Sequence, residues 1–573
     1  MVGNSFGTPH RLSEKSAGRQ EIIDMNPTLE RFRKDIAEKA YVRASSKTPI
    51  VSQSGERFSR WLFDFRALLL SPEWIDAYAE IFWEKYAQHY PFQVAGMETS
   101  GIPLVTAIVM KSVQRGMPVN GFFLRKSRKK TGLMKFVEGT PNTEKVILVD
   151  DLINSGQTLE KERVILADHS LTVSNIFVIL SFRDRSAYAS FNEKGVALSC
   201  LFTLEDFDLP LHATKSDLIP RDDFEVVWRY RAPAPSHHLV VPKSAPVFDG
   251  ERTYFGCTDG IFRAINAVDG TLAWSFKTGR HSKGKGILSS PLLHTGVLYF
   301  GAYDGNVYAL DAATGRERWR YSDADWVGSS PAISSREGML FIGLEFGLFQ
   351  KQGGLAALSL SDGTLLWQHT FPEFVHSSPL FIPEEELVVI GCNDNTVRAF
   401  SSRGIARWTI CTQGAHKASF SYDSVRRCLV FGCMGGGIYA VYAPTGSIVF
   451  SRSADAGIYS TPLLIDNMMY VATLDKKIYA LNLDTARYEW VTETSGRIFA
   501  SPVSFRGSLW CGSNDGRLYR INPHSGKIES FFQTSERIVN KIVFDEKTGH
   551  LYVPTHANEL YKLHIRHENA PAV

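Results

Sequence analysis

Two hydrophobic periodicities divide this chain. Up to about residue 209, apolar residues recur at helical spacing or in short continuous runs; from Asp223 onward helical spacing disappears. In the first part, Ile75 to His89, Ile102 to Gln114 and Leu159 to Asp168 have helical spacing, whereas Phe92 to Ala95, Val146 to Val149 and Ile176 to Leu180 read as buried strands. This alternation predicts an α/β domain with a mainly parallel sheet over residues 26–209. The second part repeats every 40 to 48 residues or so, closing at Trp228, Trp274, Trp319, Trp367, Trp408, Phe450, Trp490 and Phe532. A strand–turn–strand unit such as Val307-Tyr-Ala-Leu-Asp-Ala-Ala-Thr-Gly315 precedes most closers, and Ser-Pro or Thr-Pro opens several units, as at Ser290-Pro291, Ser330-Pro331 and Thr461-Pro462. Short regular strands with a repeated aromatic and a glycine turn predict an all-β propeller over residues 223–573.

The blade count follows from the closers. Eight of them define seven intervals, and the last segment, ending in Glu559-Leu-Tyr-Lys-Leu-His564, lacks a closing strand. Phe224 to Tyr230 can supply it, which predicts eight blades, with seven as the alternative, and removes both open sheet edges. Residues 1–25 read as a disordered or extended N-terminus and 210–222 as a polar, proline-containing linker, so the chain is multidomain.

Composition adds exclusions. A chain of 573 residues exceeds one compact domain, and 44% apolar content with a net charge of +3 describes a soluble globular protein with no general case for DNA or a membrane. The first residues lack a continuous apolar stretch, so no secretory leader is expected, and no run approaches the roughly 20 apolar residues of a membrane span. Seven scattered cysteines without a CxxC pair suggest reduced thiols, a cytoplasmic location and no zinc.

The chemistry concentrates in Val146-Ile-Leu-Val-Asp-Asp-Leu-Ile-Asn-Ser-Gly-Gln-Thr158. Asp150 and Asp151 stand at the carboxyl end of a buried strand, where open α/β sheets bind ligands. The loop Asn154 to Thr158 offers backbone N–H groups, hydroxyls and the positive end of the next helix to an anion. Carboxylates for ribose hydroxyls beside a phosphate nest describe a site for a phosphorylated sugar.

That string resembles the PRPP-binding motif of type I phosphoribosyltransferases, and further segments sharpen the likeness to orotate phosphoribosyltransferases over about Ser52 to Phe207. Ser54-Gly55 with Ser59-Arg-Trp-Leu-Phe-Asp-Phe-Arg66 is similar to that family's substrate hood. Ala95-Gly-Met-Glu-Thr-Ser-Gly-Ile-Pro-Leu104 is similar to its pyrophosphate loop, and Phe123-Leu-Arg-Lys-Ser-Arg-Lys-Lys-Thr-Gly132 to its mobile catalytic loop. Phe202-Thr-Leu-Glu-Asp-Phe207 matches its domain ending. The resemblance implies a transferase that moves 5-phosphoribose from PRPP to a nitrogenous base, with Mg²⁺, releasing pyrophosphate. It implies Lys129, Asp150 and Asp151 as catalytic residues, the two acids holding the metal directly or through PRPP-bound Mg²⁺. Arg125, Lys126, Thr99, Ser100, Asn154, Ser155, Gly156, Gln157 and Thr158 would bind the phosphates. Gln53, Phe63, Asn154 and Arg183 would face the base. A family lysine equivalent to Lys129 crosses a dimer interface, which implies a homodimer.

The base pocket departs from the family. Gln53 stands where a lysine is common, Asn154 replaces a hydroxyl residue, Thr131 a histidine and Ser100 a lysine, while Arg183 is kept behind Phe182 in place of an aspartate. Losing a lysine and a histidine weakens binding of an anionic base, so the acceptor is written as orotate-like or related. The same losses fit an alternative, a non-catalytic PRPP or nucleotide sensor that signals through the propeller. The propeller unit resembles the pyrroloquinoline-quinone-type repeat, in which a tryptophan docks between blades. It reads as a rigid platform for a protein partner or substrate; without adjacent cysteines, no bound quinone is expected.

Overall fold

The computed structural model describes residues 27–43, 50–51, 58–59, 61–125, 136–154, 156–183, 185–207, 223–232, 244–279, 286–348 and 351–566. The chain divides into two compact units, Met1–Pro220 and Arg221–Val573. Gln53, Lys126, Lys129, Thr131 and Ser155 lie outside the described residues, as do the N-terminal stretch 1–25 and the expected linker 210–222.

The first unit is a six-stranded sheet with helices on its faces. Its strands are β1 (Gln93–Met97), β2 (Asn120–Leu124), β3 (Val137–Glu138), β4 (Val146–Ile153), β5 (Val173–Ser181) and β6 (Ala197–Thr203), in the order β6-β5-β4-β1-β2-β3. All neighbours are parallel except the β2–β3 pair at one edge. The longer helices are α1 (Pro27–Asp35), α2 (Pro72–Tyr86), α3 (Gly101–Gln114) and α4 (Gln157–Asp168). Side chains alternate across the sheet. Val94, Ile147 and Phe177 join a core with Tyr78 and Phe82 of α2 and Leu104 and Ile108 of α3, whereas Ala95, Leu148 and Val178 pack with Leu159 and Ile165 of α4 on the other face. Burial on both faces explains why these strands read as continuous apolar runs.

The second unit is an eight-bladed propeller, which decides between seven and eight. Eight four-stranded antiparallel sheets follow one another, and Phe224–Arg231 completes the last by pairing with Glu559–Ile565. The closing tryptophans act between blades. Trp228, Trp274, Trp319, Trp367, Trp408 and Trp490 each donate an indole N–H to a backbone carbonyl of the following blade, at 2.7–3.1 Å. Each ring also lies over a turn glycine of that blade, for Trp319 over Gly363, whose φ is +74°. A Cβ there would sit 2.5 Å from the indole, so glycine is required twice, by conformation and by contact.

Candidate active site

Strand β4 continues past Val149 to Ile153, so Asp150 and Asp151 lie within it rather than beyond its end; Asp150 is in register with Val178 of β5. Both nonetheless lie in the carboxyl half of the strand, and the close approach of Gly96 and Gly101 turns the β1–α3 connection toward them. A Cβ on Gly96 would meet the Val149 carbonyl oxygen at 2.8 Å and one on Gly101 would meet Gly96 at 2.6 Å, so neither position admits a larger residue. This turn places Ser100 Oγ where it donates to Asp150 Oδ1 at 3.0 Å. Thr99 is exposed, and the Glu98–Thr99 peptide is cis.

The acid pair is fixed by its own backbone. Asp150 Oδ1 also accepts the Asp151 N–H at 3.0 Å, and Asp151 Oδ1 accepts the Leu152 N–H at 2.9 Å. Burial first, and then the neighbouring Asp151 charge, push the Asp150 carboxyl well above the usual carboxylate range. Burial also raises Asp151, against several hydrogen bonds that lower it. Two adjacent acids whose ionised forms are disfavoured by desolvation fit a ligand that returns positive charge or hydroxyl donors to them. Mg²⁺ and ribose hydroxyls are both of that kind.

The next turn is the one expected from the sequence to receive an anion. Gly156 holds φ +76° as the N-cap of α4, and a Cβ would press on Phe191 at 3.1 Å. Tyr188 Oη donates to the carbonyls of Ile153, at 3.2 Å, and Asn154, at 2.7 Å, and ties down the entry to the turn. Gln157 and exposed Thr158 form the first helical turn, where N–H groups have no intrahelical acceptor. Arg183 Nε reaches Asn154 Oδ1 at 3.4 Å, which brings two of the four expected base-facing residues together. Phe63 is buried among Tyr41, Phe65, Phe182 and Phe207, and its ring meets that of Phe182, beside Arg183, edge-on at 5.9 Å.

Arg125 ends β2 beside the β1 turn: its guanidinium lies 3.8 Å from Glu98 and 3.6 Å from Glu138. Its Nε has no hydrogen-bond partner among the described residues. Sequence reasoning passed over one further group. Glu162 is 0% exposed on α4, and neither carboxylate oxygen has a partner among the described residues. Burial, and then the charge of Asp150, raise its pKa well above the ordinary value. The available signal was an acid at helical spacing between Leu159 and Leu166 on the apolar face. Among the described residues, no cluster of three or more His, Cys, Asp or Glu has metal-binding geometry.

Comparison with known proteins places both units. Residues 218–330, 304–427 and 394–553 match a repeat-family model described as outer membrane protein assembly factor BamB. The N-terminal unit is similar to curated orotate phosphoribosyltransferases. That of Bradyrhizobium sp. (strain ORS 278) is 25% identical over 162 residues, covering 27% of this chain and 87% of that protein. That of Pyrococcus abyssi is 28% identical over 152 residues, covering 26% of this chain and 80% of that protein. Among solved structures, the quinohemoprotein alcohol dehydrogenase of Comamonas testosteroni superposes with a TM-score of 0.51 at 12% identity. It covers 61% of this chain and 77% of that one, a likeness of fold alone.

Proposed function

We propose, for a chain that belongs through its propeller to the repeat family just described and carries an orotate phosphoribosyltransferase-like unit, that the N-terminal unit transfers 5-phosphoribose from PRPP to a nitrogenous base and releases pyrophosphate. The observation that carries this reading is the Ser100–Asp150 hydrogen bond beside the Gly156-capped start of α4. It sets a carboxylate pair for the ribose next to a nest for the 5′-phosphate. Asp150 and Asp151 accept the ribose hydroxyls; the N–H groups around Gly156, Gln157 and Thr158, with the Ser155 and Thr158 hydroxyls, hold the 5′-phosphate. Asp150 and Asp151 are also the residues that would hold Mg²⁺, directly or through PRPP, and the ion would supply positive charge to the departing pyrophosphate. Breaking the C1–pyrophosphate bond leaves positive charge on the ribose and negative charge on the leaving group. Arg125, Lys126 and Lys129 are placed by sequence to stabilise the latter, more in the transition state than in the ground state. Thr99 and Ser100 line the pyrophosphate side, and Asn154 and Arg183, with Gln53 and Phe63, the base side.

The acceptor is orotate-like or related, the protein acts as a homodimer, and the propeller recruits a partner or substrate. Seven free cysteines suit a reducing compartment such as the cytoplasm. One observation favours the second reading, a PRPP or nucleotide sensor: Arg125 sits between two acids, Glu98 and Glu138, which oppose an incoming pyrophosphate. Incubating the full chain with PRPP, Mg²⁺ and a panel of bases including orotate, with products read by mass spectrometry, separates them. A base-dependent nucleotide establishes the transferase; tight PRPP binding with no turnover of any base establishes the sensor.

A further inference from the structure

The propeller's channel carries a feature its architecture does not require. A cavity of about 250 Å³ opens among the innermost strand ends, lined by residues of several blades. One repeat position recurs around it, occupied by Ser290, Ser330, Ser378, Ser419, Thr461 and Ser501, and the hydroxyls stitch blade to blade. The Ser290 N–H donates to Ser330 Oγ at 2.8 Å, Ser330 N–H to Ser378 Oγ at 2.9 Å, Ser419 N–H to Thr461 Oγ1 at 3.2 Å, and Thr461 N–H to Ser501 Oγ at 2.9 Å. This seam is the structural role of the ring. It also leaves the hydroxyl protons of Ser330, Ser378, Thr461 and Ser501 without an acceptor among the described residues.

Two lysines depart from most of the repeats. Lys541 stands where six blades have the hydroxyl and the first has Ala245, and Lys417 stands where six others have Leu288, Gly328, His376, Tyr459, Phe499 and Val539 and the first has Lys243. Neither lysine is needed for the seam. Among the described residues, no aspartate or glutamate lines the cavity. Lys417 Nζ rests 3.0 Å from His376 Nδ1, and His376 Nε2 in turn lies 3.4 Å from the buried Glu345 carboxylate, so one cation has a remote counter-charge. Lys541 has no hydrogen bond or ion pair among the described residues. Burial lowers the pKa of both ammonium groups, as it does for cations short of a partner. The walls are partly apolar: Tyr459 and Phe499 meet edge to face at 5.4 Å, and Pro331, Pro379 and Val539 flank them. The side-chain oxygen of Asn540 has no partner among the described residues.

We propose that this cavity binds a small organic oxyanion, a phosphate monoester or a carboxylate joined to a flat ring, with Lys417, Lys541 and the ring hydroxyls on the anion and Tyr459 and Phe499 on the ring. Four hydroxyl donors and two ammonium groups converging on a cavity without acids match an oxyanion's several lone pairs. The volume is that of a small ligand rather than of a chain segment.

Calorimetric titration of the full chain with inorganic phosphate, uridine 5′-monophosphate and orotate tests this. Channel and N-terminal events are separated by comparing wild type with Lys541→Met and with Lys417→Met/Lys541→Met, since heat common to all three arises elsewhere. The expected result is an event weakened at least about tenfold in the single variant, absent in the double, and kept within about threefold by Lys541→Arg. A stronger event with the monophosphate identifies a phosphate ligand, and one with orotate a carboxylate. Identical titrations of wild type and the double variant, with unchanged melting curves, overturn the proposal. If the double variant fails to fold, Lys541→Met alone with unchanged heats does the same.

Discussion

The two units differ in how they bury some of their charges. In the propeller, apart from the channel lysines, several buried charges come paired. Arg263 and Asp259, 4% and 5% exposed, meet at 2.5 Å, and Arg517 is wrapped by Gln533, Ser495 and Tyr519. In the N-terminal unit, Asp150 is buried beside another acid, and Glu162 is buried with no hydrogen-bond partner for its carboxylate among the described residues. A pair satisfies itself and needs no ligand, whereas a buried acid without a cation disfavours its own ionisation and is costly unless a ligand or a proton answers it. The difference also lies in redundancy. The propeller repeats one tryptophan–glycine contact six times, while Ser100, Asp150 and Gly156 each occur once in their site.

The repeated tryptophan contact should give the largest effect. Trp319→Ala should cost about 3–5 kcal/mol in the propeller's stability, read from chemical denaturation, because it removes a buried ring and its bond to Leu360. Trp319→Phe should cost well under half of that, since Phe450 and Phe532 already serve at equivalent positions. Equal losses would mean that the indole N–H, not the packed ring, holds the blades together.

Acid titration should separate the units next. His416 is 1% exposed, and burial pushes its pKa down to about 4 from an ordinary 6.5. Above pH 6.5 neither folded nor unfolded chain protonates it, so its contribution is intact. Between about 6.5 and 4 the unfolded chain takes up the proton first, and the propeller should lose about 3 kcal/mol. His416→Gln, with Thr412 still in reach, should flatten that stretch of the stability curve. A curve of the same slope in the variant would place the acid sensitivity elsewhere.

At the N-terminal site, Asp151→Asn should lower PRPP-dependent kcat/KM by about 100-fold, as expected for losing one charged acceptor, while the melting temperature stays near wild type. An unchanged rate would remove the acid pair from the mechanism.

What the sequence made legible follows the same division. Trp228 through Phe532 declared the blades because each closer recurs, and the pairing of Phe224–Arg231 with Glu559–Ile565 could be read from a strand missing at one end and spare at the other. The acid pair and the glycine turn after it were legible because strand, acids and glycine stand next to each other in the chain. The rest depends on contacts between distant segments. Ser100 meets Asp150 only through the Gly96–Gly101 approach, Arg125 meets Glu98 only because β1 and β2 run side by side, and the Lys541 departure becomes chemical only when the ring closes. The extension of β4 to Ile153 was missed because two aspartates end an apolar run, although β5 continues to pair with it.

The smallest effect is expected at Glu162. Glu162 has a pKa raised above its ordinary 4.5, first by burial and then by Asp150. A raised pKa means the folded unit holds its proton when the unfolded chain has released it. The contribution is intact below about pH 4.5 and lost as pH rises toward the folded value, opposite to His416. Glu162→Leu removes both the titration and a buried carboxyl that has no hydrogen-bond partner among the described residues. The N-terminal unit should gain about 1–2 kcal/mol at neutral pH, and its stability should no longer fall as pH rises from about 4.5. Turnover should then show whether the group matters to the site. If the variant is more stable and as active, Glu162 is a tolerated flaw in the core. If it is more stable but its pH–rate profile shifts, the buried carboxyl is part of the surroundings that set the ionisation of Asp150.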